Sequence, residues 1–254
     1  MCTIAILVDV SDAPIVLAAN RDELYARPTR GPEMLGPGLA GGVDALSGGT
    51  WLALRRDGAF AAVTNQRALA PPPPGAALRS RGWLVRELAA AADPAAYIGG
   101  LDPRAYPSAN LVWGDARGAT VGYLRHETGT CEVVPLSRGV HVLCNDVLGA
   151  GGFPRGERLR AGIAAALAQD ATWAALAPTL ARLLADHTRT DPPPPSHLPD
   201  ALAREMTATC IHSPTYGTRS ATLAALDAGA VRAYLHADGA PCVTAFVDHT
   251  GLVR

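Results

Sequence analysis

The chain contains no lysine; all 22 of its basic side chains are arginine. That absence excludes Schiff-base chemistry, attachment of a pyridoxal cofactor and a phosphate-loop lysine. Together with abundant alanine, glycine and proline, it points to a GC-rich bacterial genome. An excess of charge is lacking as well: 23 acidic residues leave a net charge of −1, which offers nothing to nucleic acid or an anionic membrane. The five cysteines (Cys2, Cys131, Cys144, Cys210 and Cys242) are scattered and form no CxxC pair, so neither a disulfide framework nor a zinc knuckle is expected. The seven histidines show no HxxxH or HxH spacing, so no metal site is expected, and no motif implies a cofactor. Long apolar runs are missing too. None approaches the roughly 20 residues of a transmembrane helix, and the N-terminus lacks the basic segment of a secretory signal. A soluble cytoplasmic protein whose partners are small molecules is the expectation.

What is present suits a folded core: 254 residues, 48% hydrophobic and 18% charged. Residues 2–10 read as a buried strand, followed by a second at Ile15–Ala19 that ends in the polar cluster Asn20-Arg21-Asp22-Glu23. Short strands are predicted at 50–54 and 59–64 around an Asp-Gly turn, then at 110–113, 119–125, 131–135 and 140–144. Helices are predicted at 83–92, 156–169 and 173–186, and strands again at 207–212, 219–226, 231–236 and 243–247. Two proline runs, 71–74 and 192–195, read as loops. Strand pairs, a helical block and more strands do not give the βα alternation of a doubly wound fold. An α+β fold of antiparallel sheets covered by helices, in one domain spanning 1–254, fits the pattern.

Cys2 directly follows Met1, and its side chain is small enough for an initiator methionine to be removed. A chain beginning at Cys2 carries a thiol and a free α-amine on one residue, with ordinary pKa values of about 8.5 and about 8. Such a residue is a nucleophile with its own base. Taken alone, Cys2 reads as a small apolar residue packed in a buried strand. Four polar clusters at strand ends bear on the choice. A hairpin of the first two strands brings Asn20 and Asp22 back beside Cys2, where a carboxylate stabilises a protonated amine. Thr64-Asn65-Gln66-Arg67 and Cys144-Asn145-Asp146 offer asparagine amides to a developing oxyanion. Thr215-Tyr216-Gly217-Thr218-Arg219-Ser220 offers an arginine to a carboxylate or phosphate of a substrate. Each cluster by itself reads equally as a turn or a surface ion pair. Ser-His-Asp catalysis lacks its GxSxG elbow.

In order along the chain stand Met1-Cys2-Thr3, Asn20-Arg21-Asp22-Glu23 with Arg27-Pro28, Gly48-Gly49-Thr50-Trp51, Thr64-Asn65-Gln66-Arg67, Arg79-Ser80-Arg81-Gly82 and Tyr216-Gly217-Thr218-Arg219-Ser220. This ordered set resembles the NRDE family, also called the transport and Golgi organisation 2 family, from residue 1 to about residue 226. The family is grouped with the N-terminal nucleophile (Ntn) hydrolases, near choloylglycine hydrolase and penicillin V acylase. The resemblance implies a four-layer αββα sandwich with Cys2 as nucleophile and Asp22 as the acid near its amine. It further implies Asn65 and Asn145 on the oxyanion side and Arg219 as a late site arginine. Two positions depart from the pattern. Ala19 stands where the acylases place an arginine before Asn-x-Asp, with Arg21 inside that triplet instead, and Cys144 stands where serine is more common.

Two functions are consistent with this reading. One is an amidohydrolase acting on a small amide through Cys2, with Asn20, Arg21, Arg67 and Tyr216 around the substrate. The other is a non-enzymatic binder of a hydrophobic ligand such as haem or acyl-CoA, gripped by Arg21, Arg67 and Arg219.

Overall fold

The computed structural model describes residues 2–67 and 77–254; the first proline run, 71–74, lies outside the described residues. Among these, two antiparallel sheets account for the strands. The first contains β1 (Cys2–Val8), β2 (Ile15–Leu24), β10 (Gly139–Leu143), β11 (Tyr216–Asp227), β12 (Ala230–Ala237) and β13 (Val247–Asp248), in the order β10-β1-β2-β11-β12-β13. The second runs in chain order through β3 (Thr29–Gly36), β4 (Leu39–Asp44), β5 (Leu52–Arg55), β6 (Phe60–Asn65), β7 (Ala109–Asp115), β8 (Gly118–Arg125) and β9 (Thr130–Pro135). Helices α1 (Arg81–Ala90) and α2 (Pro94–Gly99) cover the second sheet. Helices α3 (Pro154–Gln169) and α4 (Trp173–Leu184) cover the first, and a short α5 (Asp200–Glu205) precedes β11.

The layers follow from strand alternation. On β1, Ile4, Ile6 and Val8 point into a core shared with Leu54, Phe60, Val112 and Val121 of the other sheet. Ala5 and Leu7 point the opposite way, against Leu159, Ile163, Leu176 and Leu180 of α3 and α4. Both faces of β1 are therefore buried, which is why its sequence is almost unbrokenly apolar. Leu176, Leu180 and Leu184 recur every fourth residue and form one buried stripe on α4. Leu84, Val85 and Leu88 do the same for α1 against the outer face of the second sheet. The result is a four-layer αββα sandwich. No helix among the described residues is long and apolar enough to cross a membrane.

Several expectations need correction. The polar cluster Asn20–Glu23 does not follow the second strand but lies within it, because β2 stays paired with β11 as far as Leu24. Strands β3 and β4 had no sequence signal. β3 is an edge strand with Pro32 at a register shift, and β4 contains Gly41 and Gly42. Residues 207–212 form no strand beyond a single bridge from His212 to Gly217. Their backbone groups are satisfied elsewhere: the Ala208 amide donates to Glu205 O, the Cys210 amide to Asp186 O and the His212 amide to Glu205 Oε1. The closing strand is Val247–Asp248, and residues 240–244 form a turn instead.

One backbone contact fixes the relation between α1 and the second sheet. The Thr50 amide donates to Gly82 O at 3.1 Å, Trp83 Nε1 donates to Ser47 O at 2.8 Å and Arg86 Nη1 to Gly48 O at 2.8 Å. A Cβ on Gly49 would sit 2.5 Å from the Gly82 carbonyl carbon, so only glycine permits this approach. Gly49→Ala should cost about 1–3 kcal/mol in denaturant unfolding, the usual cost of overpacking. Gly36→Ala, where a Cβ meets nothing within 4 Å, should stay within about 0.5 kcal/mol of wild type.

Candidate active site

The β1–β2 register sets Cys2 directly opposite Arg21 and Thr3 opposite Asn20. Opposed residues share a face, so Cys2 and Arg21 project between the two sheets while Asn20 turns toward the helices. Asp22 lies one residue beyond Arg21 and pairs with Thr218 on β11. Thr218 Oγ1 donates to Asp22 Oδ1 at 2.7 Å and accepts the Ile211 amide at 2.9 Å. Tyr216 Oη donates to the Asp22 backbone carbonyl at 2.9 Å. The acid is thus fixed from the neighbouring strand rather than by solvent.

A cavity of about 300 Å³ opens at this end of the sandwich. Cys2, Arg21, Asp22 and Glu23 line it from the first sheet, and Arg27 from the loop between β2 and β3. Asp44, Ser47, Thr50, Trp51 and Asn65 come from the second sheet and its loops, and Arg79, Ser80 and Arg81 lead into α1. The two halves of the wall are stitched together by Arg27, whose Nη2 lies 2.5 Å from Asp44 Oδ2; Ser47 Oγ, on the same side as Asp44, donates to that oxygen at 2.7 Å. Ser80 Oγ donates to Ser47 Oγ at 3.1 Å and caps α1. The Arg21 guanidinium lies over the Trp51 ring, 4.5 Å from its centroid.

The electrostatics favour an anion beside Cys2. Burial lowers the pKa of Arg21, and the Cys2 thiolate and Glu23 partly restore it. Arg81 behaves alike, lowered by burial and raised by Cys2 and Glu23. Both guanidiniums stay charged at any physiological pH. Arg81 reaches the Ser108 carbonyl at 3.0 Å. Arg27 is neutralised by Asp44, and Arg79 is 2.9 Å from Glu87. Desolvation raises the Asp22 carboxyl, opposed by the Arg155 charge, the Thr218 hydrogen bond and Arg21.

The remaining candidates divide into those behind the cavity and those away from it. Asn145 does not line it. Its Nδ2 donates to Asn65 O at 2.8 Å, and its Oδ1 accepts from Arg155 Nη2 at 2.8 Å. Arg155, only 2% exposed on α3, also donates to Met206 O. Asn20 Nδ2 donates to Leu184 O and Thr209 O, tying β2 to the segment beyond α4. Arg67 stacks on Phe153 at 4.5 Å, and Arg219, at a register shift of β11, bonds Tyr25 O and Thr29 Oγ1. Arg21, Arg67 and Arg219 therefore do not converge on one ligand. Arg81, Trp51 and Arg155 received no role from the sequence. The first two stand in motifs already visible there, whereas nothing local marks Arg155.

Comparison with known proteins gives the site its context. The family model for Transport and Golgi organisation 2 matches residues 1–234. The chain belongs to that family. A curated member, the Transport and Golgi organization protein 2 homolog of Bos taurus, is 30% identical over 243 residues, covering 84% of this chain and 82% of its own. The Homo sapiens homolog is 32% identical over 145 residues, covering 53% and 51%. Among solved structures, penicillin V acylase from Agrobacterium tumefaciens superimposes with a TM-score of 0.56 at 12% identity, covering 99% of this chain and 87% of its own. A mutant conjugated bile acid hydrolase from Clostridium perfringens gives 0.56 at 11% identity, covering 100% and 94%. This family member thus has the Ntn-hydrolase-like fold.

Beneath Trp51 lies His236, 2% exposed, with Nδ1 3.0 Å from Thr222 Oγ1 and its ring 6.5 Å from Trp51. Burial, assisted by His249, lowers its pKa to about 4. The unfolded chain takes up this proton as pH falls below about 6.5. The folded chain resists until about 4, so stability should fall as pH drops through that window. Asp22, raised by burial, acts with the opposite sign. Urea midpoints from pH 8 to 5 should therefore decline more steeply in wild type than in His236→Gln.

Proposed function

We propose that this protein is an N-terminal-cysteine amidohydrolase acting on a small amide that carries an anionic group. The observation that carries the reading is one cavity lined jointly by Cys2, Arg21, Asp22 and Asn65. With Met1 removed, the Cys2 α-amine accepts the thiol proton and the sulfur attacks the amide carbonyl. Arg21 and Arg81 line the same cavity and bring positive charge to the reacting centre. The developing oxyanion is met by the Asn65 amide, whose backbone is held by Asn145 and, through it, by Arg155. The protonated amine returns its proton to the leaving nitrogen as the C–N bond breaks, leaving a thioester on Cys2. Water then attacks the thioester, releasing the acid and restoring the thiol. Asp22 stabilises the cationic amine during the cycle.

Arg81 gives the reading its substrate preference. It is a half-buried cation lining the cavity that donates to the neutral Ser108 carbonyl, and an arginine so placed suits a carboxylate. The cavity volume fits a compact amide.

The test is turnover of a panel of N-acyl amino acids and matched neutral amides, with rapid quench and peptide mapping for an acyl group on Cys2. Activity and the acyl adduct should both vanish in Cys2→Ala. Asn65→Ala should lower kcat by about 10²–10³-fold, as the loss of one oxyanion donor does. Arg81→Met should raise KM for the carboxylate-bearing amides and leave the neutral ones nearly unchanged. Turnover that survives Cys2→Ala would overturn the proposal.

A further inference from the structure

Outside the cavity, four side chains of metal-ligating type converge from three separate segments. His187 follows the end of α4, Cys210 and His212 precede β11, and Cys242 sits in the turn at 240–244. One ligand atom from each lies within 4.8 Å of every other. Cys210 Sγ is 3.7 Å from Cys242 Sγ and 3.7 Å from His212 Nε2, and His212 Nε2 is 3.3 Å from Cys242 Sγ. The two imidazole centroids are 5.0 Å apart.

These separations match a tetrahedral ion. Zinc–sulfur bonds of about 2.3 Å and zinc–nitrogen bonds of about 2.0–2.1 Å at the tetrahedral angle place sulfurs about 3.8 Å apart and sulfur and nitrogen about 3.5 Å apart. The supporting contacts fit as well. His187 Nδ1 is 3.0 Å from the Cys210 carbonyl, which fixes the ring as an Nδ1–H tautomer and leaves Nε2 free to ligate. The Cys210 amide donates to Asp186 O, and the His212 amide to Glu205 Oε1. Glu205 Oε2 is taken by Arg189, so the nearby carboxylate is not a competing ligand.

We propose that His187, Cys210, His212 and Cys242 bind one zinc ion in a closed, structural Cys2His2 site. Two thiolates and two neutral imidazoles are a donor set selective for zinc, and four protein ligands leave no position for substrate or water. The site pins the 207–212 segment, which has almost no strand pairing, against α4 and the C-terminal turn. Ile211, between two of the ligands, donates its amide to Thr218 Oγ1, and that hydroxyl holds Asp22. The metal thus buttresses the active-site acid without touching it. A Cys210–Cys242 disulfide would use the two sulfurs but would leave the convergence of two imidazoles unexplained.

The experiment uses the full chain without a histidine tag. Zinc is measured by mass spectrometry as purified and after reduction and reconstitution, together with cobalt(II) titration and thermal unfolding. The expected result is one zinc per chain. Cobalt should give the visible bands of a tetrahedral ion with a thiolate charge-transfer band, and strong chelators should lower the melting temperature. Cys2→Ala should keep its zinc. His212→Gln and Cys242→Ser, which change exposed or half-buried ligands and spare the core, should weaken binding by more than the roughly 10–100-fold that follows loss of an outer hydrogen-bond partner. A reduced chain that takes up neither metal would overturn the proposal. So would wild-type affinity in both variants, or a Cys210–Cys242 disulfide whose reduction still yields no metal binding.

Discussion

Paired residues run without a break from Cys2 opposite Arg21 to Val8 opposite Ile15, and this β1–β2 register governs the rest of the site. A slip of one residue would turn Cys2 toward the helices and Thr3 toward the cavity, inverting every apolar side chain of β1 as well. The inter-sheet core holds the register, because Ile4, Ile6 and Val8 fit on one face and Ala5 and Leu7 on the other. The position of the thiol is therefore a consequence of core packing. β11 adds the next constraint by extending the pairing to Asp22 and clamping it through Thr218 and Tyr216.

Much of this was legible in the sequence, and the exceptions have physical causes. The unbroken apolar run of β1, the Asp-Gly turn between β5 and β6, and the leucine stripe of α4 are local signals. They mark their elements to within a few residues. β3 and β4 carry no such signal, since Pro32 lies on an edge strand and Gly42 makes room for the Trp51 ring, which a Cβ there would meet at 2.3 Å. Residues 207–212 look like a strand because they are apolar and β-branched. Their burial, however, serves packing between α4 and β2, with Thr209 O accepting from Asn20 rather than from a neighbouring strand.

The candidate site shows the same division. Cys2, Asp22 and Asn65 were visible as polar residues at strand ends, and the cavity contains all three. Asn145 was visible too, but its amide is spent on Asn65 O and Arg155. Arg155 had no legible signal, since its neighbours Asn145 and Met206 come together only in the folded chain. The metal-ligand cluster was hidden for a similar reason: only Cys210 and His212 are close in sequence, and His187 and Cys242 arrive from opposite directions. Spacing rules find sites built on one hairpin or helix. They miss sites assembled by topology.

A buried chain of contacts links these features. The 207–212 segment supports Thr218, Thr218 holds Asp22, and Asp22 stands beside the strand end that presents Cys2. Chemistry at Cys2 requires that its nitrogen be an amine. The most direct measurement is the intact mass and N-terminal sequence of the chain expressed from its own start codon. The account predicts a mass lower by one methionine and a free α-amine on Cys2. A native chain that keeps Met1 would contradict it, because the Cys2 nitrogen would then be an amide unable to take the thiol proton.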